Sequence, residues 1–187
     1  DRQPASAEAV DRAAELLMSS KKPMIVSGGG VRYSDAGEAV LALAEEFGIP
    51  VAETQAGKGE VNCESDWYLG CAGICGTLSA NVIAKQADLI LAIGTKLNDF
   101  VTNSKNGFAA DARFVSINTS RMDALKLDAE SVVADAREGI EELQSALQAR
   151  GWHTEWSNEV PDAKRLWQTE LTRLAQLESL ESGALNQ

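Results

Sequence analysis

Four glycine-bearing loops carry the residues of this chain that are best suited to binding chemistry. They are residues 28–30, 54–59, 70–77 and 94–96. Glycine has no Cβ, so its backbone N–H can approach a phosphate or a ring closely, and a helix N-terminus favours an anion. Lys58 and Lys96 add positive charge to two of the loops. The loops therefore predict a site for an anionic, nucleotide-like ligand, in competition with the plainer role of glycine in tight strand-to-helix turns.

Standard phosphate-binding patterns do not account for these loops. Gly28 and Gly30 begin a Gly-x-Gly-x-x-Gly pattern, but Tyr33 stands where the third glycine is needed for close packing of helix on strand. The Gly-x4-Gly-Lys-Ser/Thr phosphate loop does not occur in the sequence. A stand-alone module that binds FAD, NAD or ADP through the same glycines is therefore an alternative without a standard motif to support it.

Residues for catalysis or metal binding are sparse. His153 is the single histidine, which excludes a multi-histidine metal site, and no Gly-x-Ser-x-Gly motif accompanies it. An independent enzyme would have to use Asp99, Lys58 or Lys96 with a perturbed pKa, and no motif indicates one. We therefore expect no catalytic residue and no metal ligand in this chain.

Charge and cysteine content indicate which partners and which cellular compartment to expect. The 187 residues include 17 Lys+Arg and 28 Asp+Glu, a net charge of −11, which argues against nucleic acid and an anionic membrane surface as partners. No apolar run approaches the roughly 20 residues that a membrane span requires. The three cysteines contain no Cys-x-x-Cys pair and cannot all form disulfides, so we expect a reducing, cytoplasmic compartment.

The elements that must position the loops alternate between strand and helix. Strands are predicted at residues 23–27, 50–54, 89–93, 113–118 and 131–134, and residues 89–93 are continuously apolar. Helical periodicity covers residues 6–20, 34–47, 77–86 and 135–150. Strands without polar alternation are buried on both faces, as in a parallel sheet covered by helices. The sequence therefore predicts, over residues 1–150, an α/β domain with a doubly wound, Rossmann-like parallel sheet of five or six strands and helices on both faces.

The predicted sheet brings the glycine loops together. In an open parallel sheet, ligands bind in the crevice beyond the carboxyl ends of the strands. Three of the loops follow predicted strands directly, and residues 70–77 precede a predicted helix. We expect all four loops to lie around one crevice.

Residues 151–187 do not continue the strand–helix alternation of the preceding domain. Residues 151–161 show no strand periodicity and are predicted to be a linker, and residues 161–180 are predicted to be helical. One stripe of that helix is apolar and consists of Trp167, Leu171, Leu174 and Leu177. The stripe needs a partner, either the domain itself or something beyond it, so we expect deletion of residues 160–187 to change solubility or association.

Several of these segments together resemble a known family, the central domain of thiamine diphosphate-dependent enzymes such as acetolactate synthase, glyoxylate carboligase and pyruvate oxidase. The segments are Gly28-Gly-Gly-Val-Arg-Tyr-Ser-Asp-Ala36, Gly48-Ile-Pro-Val-Ala-Glu-Thr-Gln-Ala-Gly-Lys-Gly59, Gly70-x-x-Gly-x-x-Gly-Thr77 and Ala87-Asp-Leu-Ile-Leu-Ala-Ile-Gly-Thr-Lys-Leu-Asn-Asp99. The resemblance covers residues 5–150. It is closest to the branch that opens the ring of a cyclic diketone in myo-inositol breakdown.

The resemblance implies a middle domain that is inert by itself. In this family, thiamine diphosphate and Mg²⁺ are held by an N-terminal and a C-terminal domain, the latter through a Gly-Asp-Gly motif that this sequence lacks. Residues 151–187 would lead toward that C-terminal domain. The resemblance thus implies flanking thiamine diphosphate-binding domains in the same chain, a small cyclic diketone as the parent enzyme's substrate, and a homodimer or homotetramer.

Some central domains of the family bind FAD, which makes an FAD- or ADP-binding domain of an acetolactate synthase-like or glyoxylate carboligase-like enzyme the alternative. The resemblance places the flavin contacts at Gly28, Gly29, Gly30, Thr54, Gln55, Gly73, Gly76, Gly94 and Lys96. Two positions depart from the flavin-binding pattern. Lys96 replaces an arginine and cannot supply a planar, bidentate fork, and Asn118 replaces an acidic residue. FAD is therefore not the favoured interpretation.

Overall fold

Six parallel strands form one sheet in the order β3-β2-β1-β4-β5-β6 in the computed structural model, which describes residues 2–176. The strands are β1 Pro23–Ser27, β2 Val51–Glu53, β3 Tyr68–Cys71, β4 Leu89–Ile93, β5 Arg113–Asn118 and β6 Glu130–Val133. The helices are α1 Ala7–Met18, α2 Gly29–Tyr33, α3 Gly37–Phe47, α4 Leu78–Gln86, α5 Asp99–Thr102, α6 Arg121–Ala124, α7 Ala136–Gln148 and α8 Glu159–Ala175. A short 3₁₀ helix covers Lys126–Asp128. The predicted Rossmann-like α/β fold is confirmed.

Helices cover both faces of the sheet. All residues of β1 and β4 are buried, which explains why Pro23–Val26 and the whole of β4 are apolar. One face carries α1, α3 and α7, whose leucines, valines and alanines pack on alternate residues of the central strands. The opposite face carries α4 and the beginning of α8. No helix in the described part of the chain is both long and apolar enough to cross a membrane.

Strand β3 was not predicted from the sequence. It lies at the edge of the sheet, its pairing with β2 is irregular, and only Leu69 among its residues is buried. Gly70 within it has φ +94°, a conformation that favours glycine and interrupts an ordinary strand. Apolar periodicity identifies strands that are buried, and β3 is too exposed to show it.

The second predicted helix begins later than the sequence predicts, and a short helix that was not predicted precedes it. The prediction covered residues 34–47, whereas α3 begins at Gly37, and α2 occupies Gly29–Tyr33. Asp35 between them has φ +51°, which no helix accommodates. At the other end of α3, Gly48 has φ +70° and ends the helix as a left-handed C-cap.

The segment after α7 crosses the amino-terminal edge of the sheet and packs there. The Trp156 indole is buried and donates a hydrogen bond to the Pro23 carbonyl oxygen at 2.7 Å. Thr154 Oγ1 donates to the Gly48 carbonyl oxygen at 2.6 Å. The predicted linker is therefore fastened to the domain, and packing continues past residue 150.

The two halves of α8 have different environments. Val160 and Ala163 are buried in the same apolar cluster as α4, whereas Leu171 and Leu174 are exposed. The predicted apolar stripe is thus only partly covered, because Trp167 is half-buried and the two leucines after it are exposed. The fourth member of the stripe, Leu177, lies outside the described residues.

Candidate functional site

A crevice of about 760 Å³ opens at the carboxyl ends of the central strands. The strand order reverses between β1 and β4, since β2 and β3 lie on one side of this pair and β5 and β6 on the other. Such a switch point separates the loops that follow neighbouring strands and leaves room for a ligand between them. The loops after β1, β2, β4 and β5 line the crevice.

Six of the nine site residues predicted from the sequence line this crevice. They are Gly29, Gly30, Thr54, Gln55, Gly94 and Lys96. Gly28, Gly73 and Gly76 do not line it. Lys58, which was expected beside Lys96, lies instead against two other cavities near β3.

Close contact between two backbone segments explains Gly28, Gly30 and Gly94. The Gly30 N–H donates to the Gly94 carbonyl oxygen at 2.9 Å. A Cβ on Gly28 would lie 2.4 Å from that same oxygen, and a Cβ on Gly94 would lie 2.7 Å from the Gly30 Cα. Both distances are too short for real carbon atoms, so these glycines are required to close the β1 and β4 loops against each other, whether or not a ligand binds.

Gly73 and Gly76 belong to a turn that does not line the crevice and packs behind Phe100, which does. The Gly73 N–H donates to Asn81 Oδ1 and its carbonyl oxygen accepts from Asn81 Nδ2, both at 3.0 Å. A Cβ on Gly73 would lie 2.1 Å from the Phe100 carbonyl oxygen, and one on Gly76 would lie 2.5 Å from the Cys71 carbonyl oxygen. The fourth loop therefore does not join the other three around one crevice, because β3 lies at the sheet edge and Asn81 ties the turn to α4.

The polar side chains at the β5 end of the crevice are already paired within the protein. Asn118 Nδ2 donates to the Thr95 carbonyl oxygen at 3.0 Å, and its Oδ1 accepts from the Ser120 N–H at 2.9 Å. Asp123 pairs with Lys126 at 2.8 Å, and the hydrogen bond from this lysine holds the pKa of Asp123 below its usual range. The bond from Asn118 to Thr95 joins the β4 and β5 loops, and the other two bonds lie within the segment after β5.

Two aromatic side chains are exposed at the crevice. Tyr33 is 91% exposed and Phe100 is 56% exposed, and both line it. The sequence analysis notes Tyr33 only as a departure from the glycine pattern, and it does not identify Phe100, Asp123 or Ser120 as site residues. Each lies on a loop or a helix of five residues or fewer, where apolar periodicity cannot be read and only the tertiary fold brings the side chain to the site.

A buried carboxylate shapes the loop after β2. Glu53 is fully buried at the end of the strand and accepts four hydrogen bonds. The donors are the N–H groups of Gly59, Glu60 and Val61 at 3.0, 2.9 and 2.9 Å and the Tyr68 hydroxyl at 2.9 Å. Burial, then the hydrogen bond to Glu53, raises the pKa of Tyr68 above its usual range. This arrangement bends the loop back along β2 toward β3 and explains why Lys58 lies there.

Asp88, which lies directly before β4, has a structural role. Its two carboxylate oxygens accept from the backbone N–H groups of Lys21 and Lys22 at 2.8 and 3.0 Å. The His153 ring lies 6.0 Å from the Phe47 ring at the opposite edge of the sheet from the crevice. Neither residue is placed for chemistry in the crevice.

The side chains of residues 2–176 do not fit a thiamine diphosphate–Mg²⁺ site in the crevice. Mg²⁺ that is bound with a diphosphate usually takes one or two carboxylates from the protein, and Asp123, the one carboxylate among the described residues that line the crevice, is paired with Lys126. No group of three His, Cys, Asp or Glu side chains among the described residues is placed to hold a metal ion either. The crevice has the volume of a small-molecule site. However, Asn118 and Asp123, the side chains best suited to bind a ribose or adenine, are paired internally.

Comparison with known proteins gives a consistent family assignment. The sequence model of the family described as "Thiamine pyrophosphate enzyme, central domain" matches residues 10–143. A 3D-(3,5/4)-trihydroxycyclohexane-1,2-dione hydrolase of Geobacillus thermodenitrificans is 49% identical over 173 residues, which are 92% of this chain and 26% of that protein. Proteins of the same name from Bacillus subtilis and Clostridium perfringens (strain ATCC 13124) are 46% and 43% identical, over 95% and 91% of this chain and 28% and 27% of those proteins. The chain thus spans about a quarter of the length of these relatives.

Proposed function

This chain belongs to the central-domain family of thiamine pyrophosphate enzymes, and on that premise we propose that it is the middle domain of a thiamine diphosphate-dependent hydrolase. The proposed substrate of the parent enzyme is 3D-(3,5/4)-trihydroxycyclohexane-1,2-dione, a cyclic diketone of myo-inositol breakdown. One observation carries this proposal, the identity of 43–49% along nearly the whole chain to hydrolases of that name.

The role proposed for the domain itself is structural. Thiamine diphosphate and Mg²⁺ would be bound by flanking domains of the same polypeptide, since the described residues lack a suitable donor set. The sheet and its fastened C-terminal segment would hold those domains at a set separation and contribute to subunit contacts in a homodimer or homotetramer. The three free thiols are consistent with the cytoplasm as the proposed compartment.

A nucleotide in the crevice is the less favoured alternative. The volume of the crevice and its glycine-lined wall are compatible with FAD or ADP. Two features weigh against them. Close backbone contacts already account for Gly28, Gly30 and Gly94. The amide nitrogen of Asn118 is bonded to the Thr95 carbonyl oxygen, and its amide oxygen is bonded to the Ser120 N–H.

Calorimetric titration and a turnover assay test the proposal together. We expect the purified chain to show no heat of binding with thiamine diphosphate and Mg²⁺, and to leave 3D-(3,5/4)-trihydroxycyclohexane-1,2-dione unchanged. Hydrolysis by this chain alone would contradict the structural role. Saturable binding of FAD or ADP would assign the crevice to the nucleotide alternative instead.

A further inference from the structure

A second cavity lies at the β3 edge of the sheet and differs in character from the crevice. It has a volume of about 540 Å³. Its walls are the loop before β3, the strand itself, the beginning of α4 and the middle of α8. Nothing proposed above for the middle domain uses this cavity.

The charged side chains that line the cavity are cationic, although the protein is acidic. Among the described residues, Lys58, Lys164 and Arg165 line it, and no aspartate or glutamate does. The chain as a whole has 28 acidic residues against 17 Lys+Arg. This concentration of cationic side chains favours an anionic ligand.

The three cations differ in how far they are already engaged. Lys164 Nζ donates to the carbonyl oxygens of Ser65 and Asp66 at 3.0 and 3.1 Å, and Arg165 pairs with Asp162 on its own helix. Within residues 2–176, the Lys58 ammonium makes neither an ion pair nor a hydrogen bond. Lys58 is thus the cation available to an incoming anion.

The remaining walls are largely apolar and partly aromatic. The indole of Trp167 and the ring of Tyr68 line the cavity together with Leu69. Burial raises the pKa of the Cys71 thiol, more than the nearby Lys58 lowers it, so this side chain is uncharged at neutral pH and adds to the apolar lining. Aromatic side chains present flat faces and edges against which a planar ring packs well.

The backbone of β3 is not free to pair with an added strand at this edge. The Leu69 carbonyl oxygen accepts from Thr77 Oγ1 at 2.6 Å and from Ser79 Oγ at 2.7 Å. The Cys71 carbonyl oxygen accepts from the Thr77 N–H at 2.8 Å. A ligand in the cavity therefore meets side chains, which favours a small molecule over an extended peptide.

We propose that this cavity binds a small, flat aromatic anion, with Lys58 binding the carboxylate or phosphate and Trp167 packing against the ring. Aromatic carboxylates and aromatic phosphates both have this chemistry, a planar ring with one acidic group.

The test uses three probes of one shape on the purified chain. Sodium 2-naphthoate and 2-naphthyl phosphate are the anions, and 2-naphthamide is the uncharged counterpart. Affinities are measured by calorimetry, and the position of the probe is read from the indole N–H resonances by NMR. The variant Lys58→Met removes the charge, and Lys105→Met is its matched control, because Lys105 is also exposed and does not line the cavity.

We expect at least one anion to bind saturably and to shift the Trp167 indole resonance, assigned with a Trp167→Phe variant. Lys58→Met should weaken that binding about five-fold, roughly the effect of one partly exposed charge contact, while Lys105→Met should change it less than two-fold. The stronger of the two anions identifies the acidic group. Equal affinity for 2-naphthamide, an equal effect of both lysine variants, or the absence of saturable binding at millimolar probe would each overturn the proposal.

Discussion

Replacing Glu53 by glutamine should destabilise the domain more than any other single exchange of a carboxylate for an amide on its surface or in its loops. The side chain is fully buried and, within residues 2–176, is the acceptor for the N–H groups of Gly59, Glu60 and Val61 in the loop that follows β2. Glutamine has nearly the same shape but replaces one acceptor oxygen by an NH₂ group. The exchange therefore changes hydrogen bonding and charge with little change in packing.

The cost follows from the geometry of the four hydrogen bonds. Glutamine can keep the bonds from Glu60 and Val61 to one oxygen, and the Tyr68 hydroxyl can rotate to accept from the new NH₂ group. The Gly59 N–H then loses its acceptor, and a buried unsatisfied donor costs about 1–3 kcal/mol. The retained bonds also lose their charge assistance, so we expect a total loss of about 3 kcal/mol in the free energy of unfolding.

Thermal and urea denaturation measure this loss. For a domain of this size, about 3 kcal/mol corresponds to a decrease in Tm of roughly 6–12 °C. Glu142→Gln is the matched control, because Glu142 is exposed on α7 and the same charge is removed. A surface exchange of this kind should change stability by less than about 0.5 kcal/mol. If Glu53→Gln and Glu142→Gln had the same Tm, the carboxylate would not organise the loop and the reasoning would be wrong.

Three further predictions concern the hydroxyl of Tyr68, the glycine contact and the C-terminal helix. Burial and the hydrogen bond to Glu53 raise the pKa of Tyr68 in the folded state, so the contribution of Tyr68 to stability is complete below its usual pKa of about 10 and is lost as the pH rises above that value. Urea midpoints should therefore fall more steeply above about pH 10 in the wild type than in Tyr68→Phe. Parallel slopes for the two proteins would contradict this prediction. Gly94→Ala should lower the free energy of unfolding by at least about 2 kcal/mol, and the control Gly151→Ala by about 1 kcal/mol. Both glycines have positive φ, but a Cβ on Gly151 meets no atom within 4 Å, whereas a Cβ on Gly94 meets the backbone of Gly30. Equal losses in the two variants would contradict the close backbone contact as the explanation. Deleting residues 160–187 should lower the Tm and increase association, because it uncovers the apolar surface of α4 that Val160 and Ala163 cover, and unchanged melting and sedimentation would contradict this.

The sheet was largely predictable from the sequence because its central strands are buried on both faces. The continuous apolar segments at β1 and β4 identify strands directly, and the glycines after them mark the turns. The edge strand β3 was missed for the opposite reason, since exposure and Gly70 remove the apolar pattern. The start of α3 at Gly37 instead of Ser34 depends on the left-handed conformation of Asp35, which no local pattern indicates.

The candidate site was predictable only as far as topology determines it. Loops that follow adjacent parallel strands must meet at one edge, and Gly30, Thr54 and Gly94 do so. Side-chain direction within a loop depends on tertiary hydrogen bonds that sequence does not show. Lys58 is the clearest case, because the buried carboxylate of Glu53 bends its loop away from the crevice.

The C-terminal segment shows a similar limit. Its lack of periodicity is typical of an irregular connection, but the hydrogen bonds from Trp156 to Pro23 and from Thr154 to Gly48, together with the burial of Val160, hold it against the domain. Such contacts join residues far apart in sequence and have no local signal. The sequence alone therefore does not determine whether α8 packs on its own domain.

A domain exchange tests the proposed function most directly. In the 46% identical Bacillus subtilis hydrolase, the 178-residue stretch that matches this chain is replaced by the chain itself, and a protein from which that stretch is deleted serves as the control. We predict that the exchanged protein assembles, binds thiamine diphosphate and hydrolyses 3D-(3,5/4)-trihydroxycyclohexane-1,2-dione, while the deletion protein does not. An exchanged protein that folds and binds thiamine diphosphate but shows no hydrolysis would contradict the assignment of this chain as the middle domain of that enzyme.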